Sequence, residues 1–210
     1  MSNVIGTATG THWAALREGN ARYVAGLSTA DVRRGADRRA ELVGAQAPSA
    51  LVFGCADSRV PVEILFDQGL GDLFVVRTAG HVFDVSVLGS IEYAVEVLGV
   101  PLIVILGHDG CGAVAAATTM VDEGKVPPGC IRDVAEHIAP DIVRARIAGA
   151  ETFEETVEQH ARFTAEQLLD RSALIDRAVT AGRVNVVPTW YSLASGQVVE
   201  AQPLRKLQPA

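Results

Sequence analysis

The chain has 210 residues, 49% of them hydrophobic and 20% charged, with a formal net charge of −7. That length builds one α/β domain with a sizeable core, whereas two domains would each be small, so residues 1–210 are taken as a single unit. The acidic balance excludes a general nucleic-acid binder, and no run reaches the roughly 18 apolar residues of a membrane span, so neither nucleic acid nor membrane is an expected partner.

Residues 1–13 are small and polar, without the basic and then apolar order of a secretory signal, and the cytoplasm is the expected location. From about Thr11 to Ala25 the residues Trp13, Leu16, Tyr23 and Val24 fall at helical spacing, and Gly26 ends the run. This predicts an amphipathic helix that precedes the first strand and is free to protrude toward a neighbouring subunit. The cluster Arg33, Arg34, Arg38, Arg39 is interleaved with Asp31, Asp37 and Glu41 and reads as a solvated helix face or an interface. A short helix near Arg38 to Gly44 closes an N-terminal helical arm, residues 1–45, and Pro48 precedes the first strand.

That strand opens the stretch Leu51-Val-Phe-Gly-Cys55-Ala-Asp57-Ser-Arg59, apolar in its first half and chemical in its second. An extended backbone would point Cys55, Asp57 and Arg59 to one side. A short helix over Val62 to Phe66, a second strand over Asp72 to Arg77 and a deeply buried helix over Ser86 to Leu98 follow. The β-branched run from Leu102 to Leu106 reads as a central parallel strand covered on both faces, and it leads into Gly107-His108-Asp109-Gly110-Cys111-Gly112. Helices are expected after Cys111 to about Asp122, over Ile131 to Ile147 and over Thr152 to Ala181. Arg183 to Pro188 is a fourth strand, and the turn at Ala194-Ser195-Gly196 returns Gln197 to Glu200 as an edge strand. Residues 203–210 read as an irregular tail. The fold class is α/β: a mostly parallel, doubly wound sheet of four parallel strands plus an antiparallel edge strand, flanked by helices, with its site at the carboxyl ends of the strands.

Three widely spaced cysteines make no disulfide framework, and in a reducing compartment they read as thiolate ligands or buried thiols. Cys55, His108 and Cys111 end strands of one sheet, and three protein ligands with an open fourth position is the pattern of a catalytic zinc. The alternatives are a buried thiol beside a capping histidine, or a phosphate-cradling turn built on Gly107, Gly110 and Gly112. The latter order is GxxGxG rather than GxGxxG, and these glycines are better read as giving the backbone room near a metal. Asp57 and Arg59 read equally as a plain salt bridge or as a carboxylate that orients a metal-bound nucleophile. Cys130 reads as a bystander, His81 as an exposed loop residue more than as a proton relay, and His12, His137 and His160 give no signal.

Cys55-Ala-Asp-Ser-Arg59 together with His108-Asp-Gly-Cys111-Gly resembles the paired CxDxR and HxxCG motifs of β-class carbonic anhydrases, over about Gly19 to Gly196. The resemblance implies a Zn2+ cofactor on Cys55, His108 and Cys111. It implies an Asp57 and Arg59 catalytic dyad, and reversible hydration of carbon dioxide to bicarbonate by zinc-bound hydroxide. Gln46, Phe74, Tyr93 and Gly112 match its substrate-binding positions, partly supplied by a neighbouring subunit in a homodimer or homotetramer. Read from the residues alone, Phe74 and Tyr93 are core. Arg77 and Tyr191 match the bicarbonate-inhibited members, whereas Val52 stands where those carry Trp. Two rival functions share the scaffold: hydrolysis of carbonyl sulfide or carbon disulfide, and a non-catalytic zinc or bicarbonate-sensing subunit.

Overall fold

The protein is described here by a computed structural model, which covers residues 10–202; the expectations for residues 1–9 and for the tail 203–210 lie outside it. Five strands, β1 (Ala50–Cys55), β2 (Leu73–Thr78), β3 (Leu102–His108), β4 (Asn185–Tyr191) and β5 (Val198–Glu200), form one sheet in the order β2-β1-β3-β4-β5. The first four pair in parallel, and β5 returns antiparallel on β4. The helices are α1 (Thr11–Val24), α2 (Ala36–Glu41), α3 (Val62–Leu65), α4 (Val85–Glu96), α5 (Gly112–Glu123), α6 (Ile131–Ile147), α7 (Phe153–Arg171) and α8 (Ala173–Thr180).

Of the three inner strands, β1 and β3 are buried along their whole length, which is why they read as unbroken apolar runs. Alternation then assigns their side chains to two faces. Leu51, Phe53, Ile103 and Ile105 pack under α4, α7 and α8, and Val52, Val104 and Leu106 pack under α1 and α3. A third apolar cluster, from α5, α6 and α7, sits beyond the strand ends and includes Cys55 and Cys111. No helix among the described residues is long and apolar enough to cross a membrane.

The single helix expected over Thr152 to Ala181 is two. Ser172 leaves helical geometry at φ −120°, ψ 98°, and its hydroxyl accepts from Ile175 N to start α8 while donating to Glu92 Oε1 at 2.6 Å on α4. Nor is α4 deeply buried: Ile91, Ala94 and Val95 face the core, but Val85, Tyr93 and Val97 are exposed at 82%, 47% and 64%. The arginine cluster is a strap rather than a solvated face. Arg33 bonds Asp72 and Asp67 O, Arg34 bonds Gln68 O, and Arg38 reaches Leu70 O and Asp72, so all three hold the loop between α3 and β2.

The N-terminal helix is fastened along one face. Trp13 Nε1 donates to Glu200 Oε1 at 2.7 Å, and Asn20 donates to Leu65 O and Gly196 O while accepting from Val198 N. Gly19 permits this approach, because a Cβ there would lie 2.0 Å from Phe66 O. The opposite face, with Val24 exposed, is uncovered in the single chain. Asp67 locks the segment that follows. Its fully buried carboxylate accepts from Arg22 Nε at 2.6 Å, from Ser28 Oγ, from the backbone and hydroxyl of Thr29, and from Ala30 N. Burial alone would raise its pKa, but these donors outweigh it and hold the carboxyl well below the usual carboxylate range.

Asp67→Asn should therefore lower the unfolding free energy near neutral pH by about 3 kcal/mol, since an amide, neutral and itself half donor, replaces the buried carboxylate on which these donors converge. The folded pKa lies below the unfolded one, so the wild-type advantage is full above about pH 4 and is lost as pH falls toward the folded value. Urea unfolding of both chains at one fixed protein concentration, at neutral and at acid pH, checks the size and the convergence.

Candidate metal centre

Parallel pairing of β1 and β3, with Gly54 opposite Leu106, delivers Cys55 and His108 to the same rim, and Cys111 follows at the N-cap of α5. The ligand atoms of the three buried residues lie within 4.8 Å of one another, and the two sulfurs are 4.0 Å apart. A tetrahedral ion with metal–sulfur bonds of about 2.3 Å separates two sulfurs by roughly 3.8 Å, so the set fits a metal without rearrangement. His108 Nδ1 donates to Asp109 O at 2.8 Å, which leaves Nε2 with its lone pair. That Nε2 is buried and without a hydrogen-bond partner, as a metal-ligating nitrogen must be.

The electrostatics point the same way. A hydrogen bond from Cys111 pushes the Cys55 thiol down to about 3 against the effect of burial, helped by His108 and by the Gly80 N–H at 3.5 Å. Cys111 is pushed up, first because it shares that hydrogen bond and then by burial, while the Ala113 and Val114 N–H groups at the start of α5 pull it down. Burial disfavours a charged His108 ring, yet the Cys55 thiolate outweighs it and raises the pKa. Thiolate and imidazole that attract a proton between them are a set built for a cation.

Asp57 and Arg59 stand beside the cluster, but not because the strand continues. The chain turns after Cys55, with Val60 N donating to Asp57 O, and Asp57 Oδ1 accepts from the Arg59 backbone N at 2.9 Å. The guanidinium then grips both carboxylate oxygens, Nε to Oδ1 at 3.0 Å and NH2 to Oδ2 at 2.7 Å, and also donates to Gly110 O. These hydrogen bonds from Arg59 hold Asp57 at about 2. Asp57 is turned to Arg59 and is not one of the three clustered ligands. Arg77 fixes the backbone beneath, donating to Cys55 O at 2.8 Å and Asp57 O at 2.6 Å. Val52 and Tyr191 are buried in the core.

The glycines work differently from expectation. Gly107 makes room for α7, since a Cβ would meet Ala161 at 3.1 Å, and Gly110 takes the turn at φ +62°; Gly112 faces open space. Of the positions expected to bind substrate, Phe74 on β2 and Tyr93 on α4 meet each other with ring centroids 6.4 Å apart; Phe74 packs part-buried against the core, and Tyr93 is too exposed to be core. Gln46 lies in the exposed loop before β1. His81 is not a solvent-exposed loop residue: it is 3% exposed, with Nε2 at 2.7 Å from Leu106 O. His160 is buried too, between Asp141 and Gly80 O. Asp141 and Gly80 were missed by sequence reasoning, because their partners lie on other elements and carry no local signature.

Fold and site together define an α/β protein with a Cys2His cluster, able to hold a metal ion, at the rim of a parallel sheet. The carbonic anhydrase family profile matches residues 50–198. A carbonic anhydrase of Mycolicibacterium smegmatis is 56% identical over 186 residues, covering 89% of this chain and 90% of that protein. Carbonic anhydrase 2 of Mycobacterium tuberculosis is 50% identical over 187 residues, again covering 89% of this chain and 90% of that protein. Among solved structures, a tetrameric β-carbonic anhydrase of the filamentous ascomycete Sordaria macrospora is similar in fold, with a TM-score of 0.67 at 24% identity over 90% of this chain and 95% of that one. The chain belongs to the β-class carbonic anhydrases, metalloenzymes whose general reaction is carbon dioxide hydration.

Cys55→Ala, His108→Ala and Cys111→Ala should each yield protein with less than about a tenth of the wild-type metal content, because losing one of three donors removes much of a binding energy on the order of 10 kcal/mol. Metal analysis of the purified chains by mass spectrometry checks this, and full metal content in any of the three would remove that residue from the ligand set.

Proposed function

We propose that the chain hydrates carbon dioxide reversibly to bicarbonate and a proton, using a zinc ion held by Cys55, His108 and Cys111. The observation that carries the reading is the buried Cys2His cluster with a two-point Asp57 and Arg59 pair beside it. Bound there, zinc supplies a Lewis acid that makes water a nucleophile near neutral pH. Asp57, ionised and gripped by Arg59, accepts a hydrogen bond from that nucleophile and so fixes which lone pair faces the carbon. Arg59 also keeps the carboxylate from turning onto the ion and filling the open position. A module that only bound zinc or bicarbonate would have no use for such a carboxylate.

Cys55 and Cys111 bring two negative charges to the ion, so water is acidified less than by three imidazoles. The Asp57 carboxyl, held at about 2, is ionised throughout the working range and contributes no limb to the profile there. Activity should thus rise from neutral to alkaline pH.

The substrate wall is completed by a second copy. Phe74, part-buried on the outer strand β2, meets Tyr93 on the uncovered side of α4, and Val85 and Val97 at the two ends of that helix are exposed as well. An unpaired strand edge next to exposed apolar residues is a surface that closes by symmetric pairing. A homodimer or homotetramer suits it, and the Sordaria macrospora enzymes are tetrameric. The reduced Cys55 and Cys111 thiols suit the cytoplasm.

In stopped-flow hydration assays Asp57→Asn should keep its zinc and lose turnover by roughly 10²- to 10⁴-fold. For wild type, a rate that is flat or falls from neutral to alkaline pH would contradict the proposed donor set. Val97→Asp, which puts a charge on the exposed side of α4, should move the sedimentation coefficient toward that of a smaller species and raise KM; unchanged assembly would exclude this flank as the interface.

A further inference from the structure

The two thiolates of the centre obtain their N–H donors in different ways. Cys111 caps α5, so the helix start supplies them, but Cys55 ends a strand and has no helix at hand. Its donor is Gly80 N, at 3.5 Å, in the turn that follows β2, directly beyond the pairing of Cys55 with Thr78. That turn is held in an unfavourable conformation. Gly80 at φ 59°, ψ 31° and His81 at φ 57° are two successive left-handed residues, and His81 pays the steric penalty of a Cβ. Such a turn persists only where its surroundings over-determine it.

Two buried histidines do so. His81 Nε2 bonds Leu106 O on β3 at 2.7 Å, and His160 Nε2 on α7 bonds Gly80 O at 2.7 Å. Asp141 on α6 accepts from His160 Nδ1 at 2.8 Å, and Gln167 Nε2 holds the same carboxylate at 3.0 and 3.1 Å. Asp141, His160 and His81 are exposed by only 1%, 4% and 3%. Both nitrogens of His160 face acceptors, the Asp141 carboxylate and the Gly80 carbonyl, and these two contacts fix the plane of the ring. We propose that His160, held by Asp141, is a positioning residue of the metal centre: by fixing Gly80 O it keeps the Gly80 N–H on the Cys55 sulfur and sets how much charge that sulfur gives the metal. This rests on the reading that Cys55 ligates the metal. It also answers a need of that reading, since an N–H on a thiolate withdraws charge and restores some of the Lewis acidity that two thiolates take away. The rival is that packing alone holds Gly80, where a Cβ would lie 2.6 and 2.7 Å from Ile138 and Ala113, and that Asp141 and His160 merely tie α6 to α7.

The test uses the full chain with Co2+ in place of zinc, wild type against His160→Leu and His160→Gln, each first matched for metal content and far-ultraviolet circular dichroism. His160→Leu should move the sulfur-to-cobalt charge-transfer band to longer wavelength, because a thiolate freed of its N–H partner gives up an electron more readily. His160→Gln, whose amide nitrogen can still donate to Gly80 O, should keep the band near the wild-type position. In 113Cd-loaded wild type a scalar coupling between the cadmium nucleus and the Gly80 amide proton should be resolved, a measurement that needs no variant to fold. A band unmoved in His160→Leu, or no coupling at Gly80, overturns the positioning role. A wild-type chain without any sulfur-to-cobalt band overturns the metal reading and this inference with it, so the two failures are told apart.

Discussion

Two sulfurs 4.0 Å apart in a buried site cannot both carry charge unless something positive stands between them, and most of the local structure answers that constraint. His108 supplies a neutral ring nitrogen with no other use, α5 aims its first N–H groups at Cys111, and the turn after β2 aims Gly80 N at Cys55. None of these is a full charge, so each lowers the cost of the thiolates without competing with a cation for the same place. Of the full positive charges nearby, Arg59 is engaged by Asp57 and a carbonyl of the neighbouring loop, and Arg77 by the carbonyls of Cys55 and Asp57. Gripped in this way, Asp57 stands beside the three clustered residues without joining them.

The sheet makes this arrangement possible at low cost in flexibility. Cys55 and His108 end adjacent parallel strands whose preceding residues are wholly buried, so neither backbone can shift without disturbing the core. The connecting loops are then pinned individually. Asp109 Oδ1 accepts from Leu193 N across to the turn before β5, Arg77 holds the carbonyls of Cys55 and Asp57, and Arg59 bridges to Gly110. Loops are ordinarily where precision is lost, and here each is tied by a charged side chain to a neighbouring segment.

What could be read from the sequence was whatever is written locally. Strand identities, their order of use, the ligand triad and the carboxylate–guanidinium pair all lie in short stretches whose spacing carries their meaning. The break at Ser172 was legible in principle, since a serine ahead of Ala173 to Asp176 is a helix start, but the apolar period runs through it and hid the cap. The buried roles of His81, Asp141 and His160 were not legible. Asp141 and His160 meet only because α6 and α7 pack together, and His160 meets Gly80 across 80 positions of chain. For α4 the reading failed in the opposite sense: residues apolar on several sides suggest burial, yet Val85, Tyr93 and Val97 stand uncovered in the single chain.

That last failure bears on how the substrate wall is built. A pocket for a small uncharged molecule must be apolar, yet an apolar wall left in water is a liability in a single chain. On the proposed reading, setting Tyr93 on the open side of α4, ring to ring with Phe74 on β2, makes the wall a product of assembly. The N-terminal segment is fixed from the other end: Trp13, Asn20 and Asp67 fasten one side of it to β5 and α3, which holds its free side in a fixed orientation. Metal centre and wall therefore differ in what they depend on. The ligand triad is complete within one chain and should bind metal in a subunit held apart, whereas the wall, and with it the affinity for carbon dioxide, should be lost when the subunits separate.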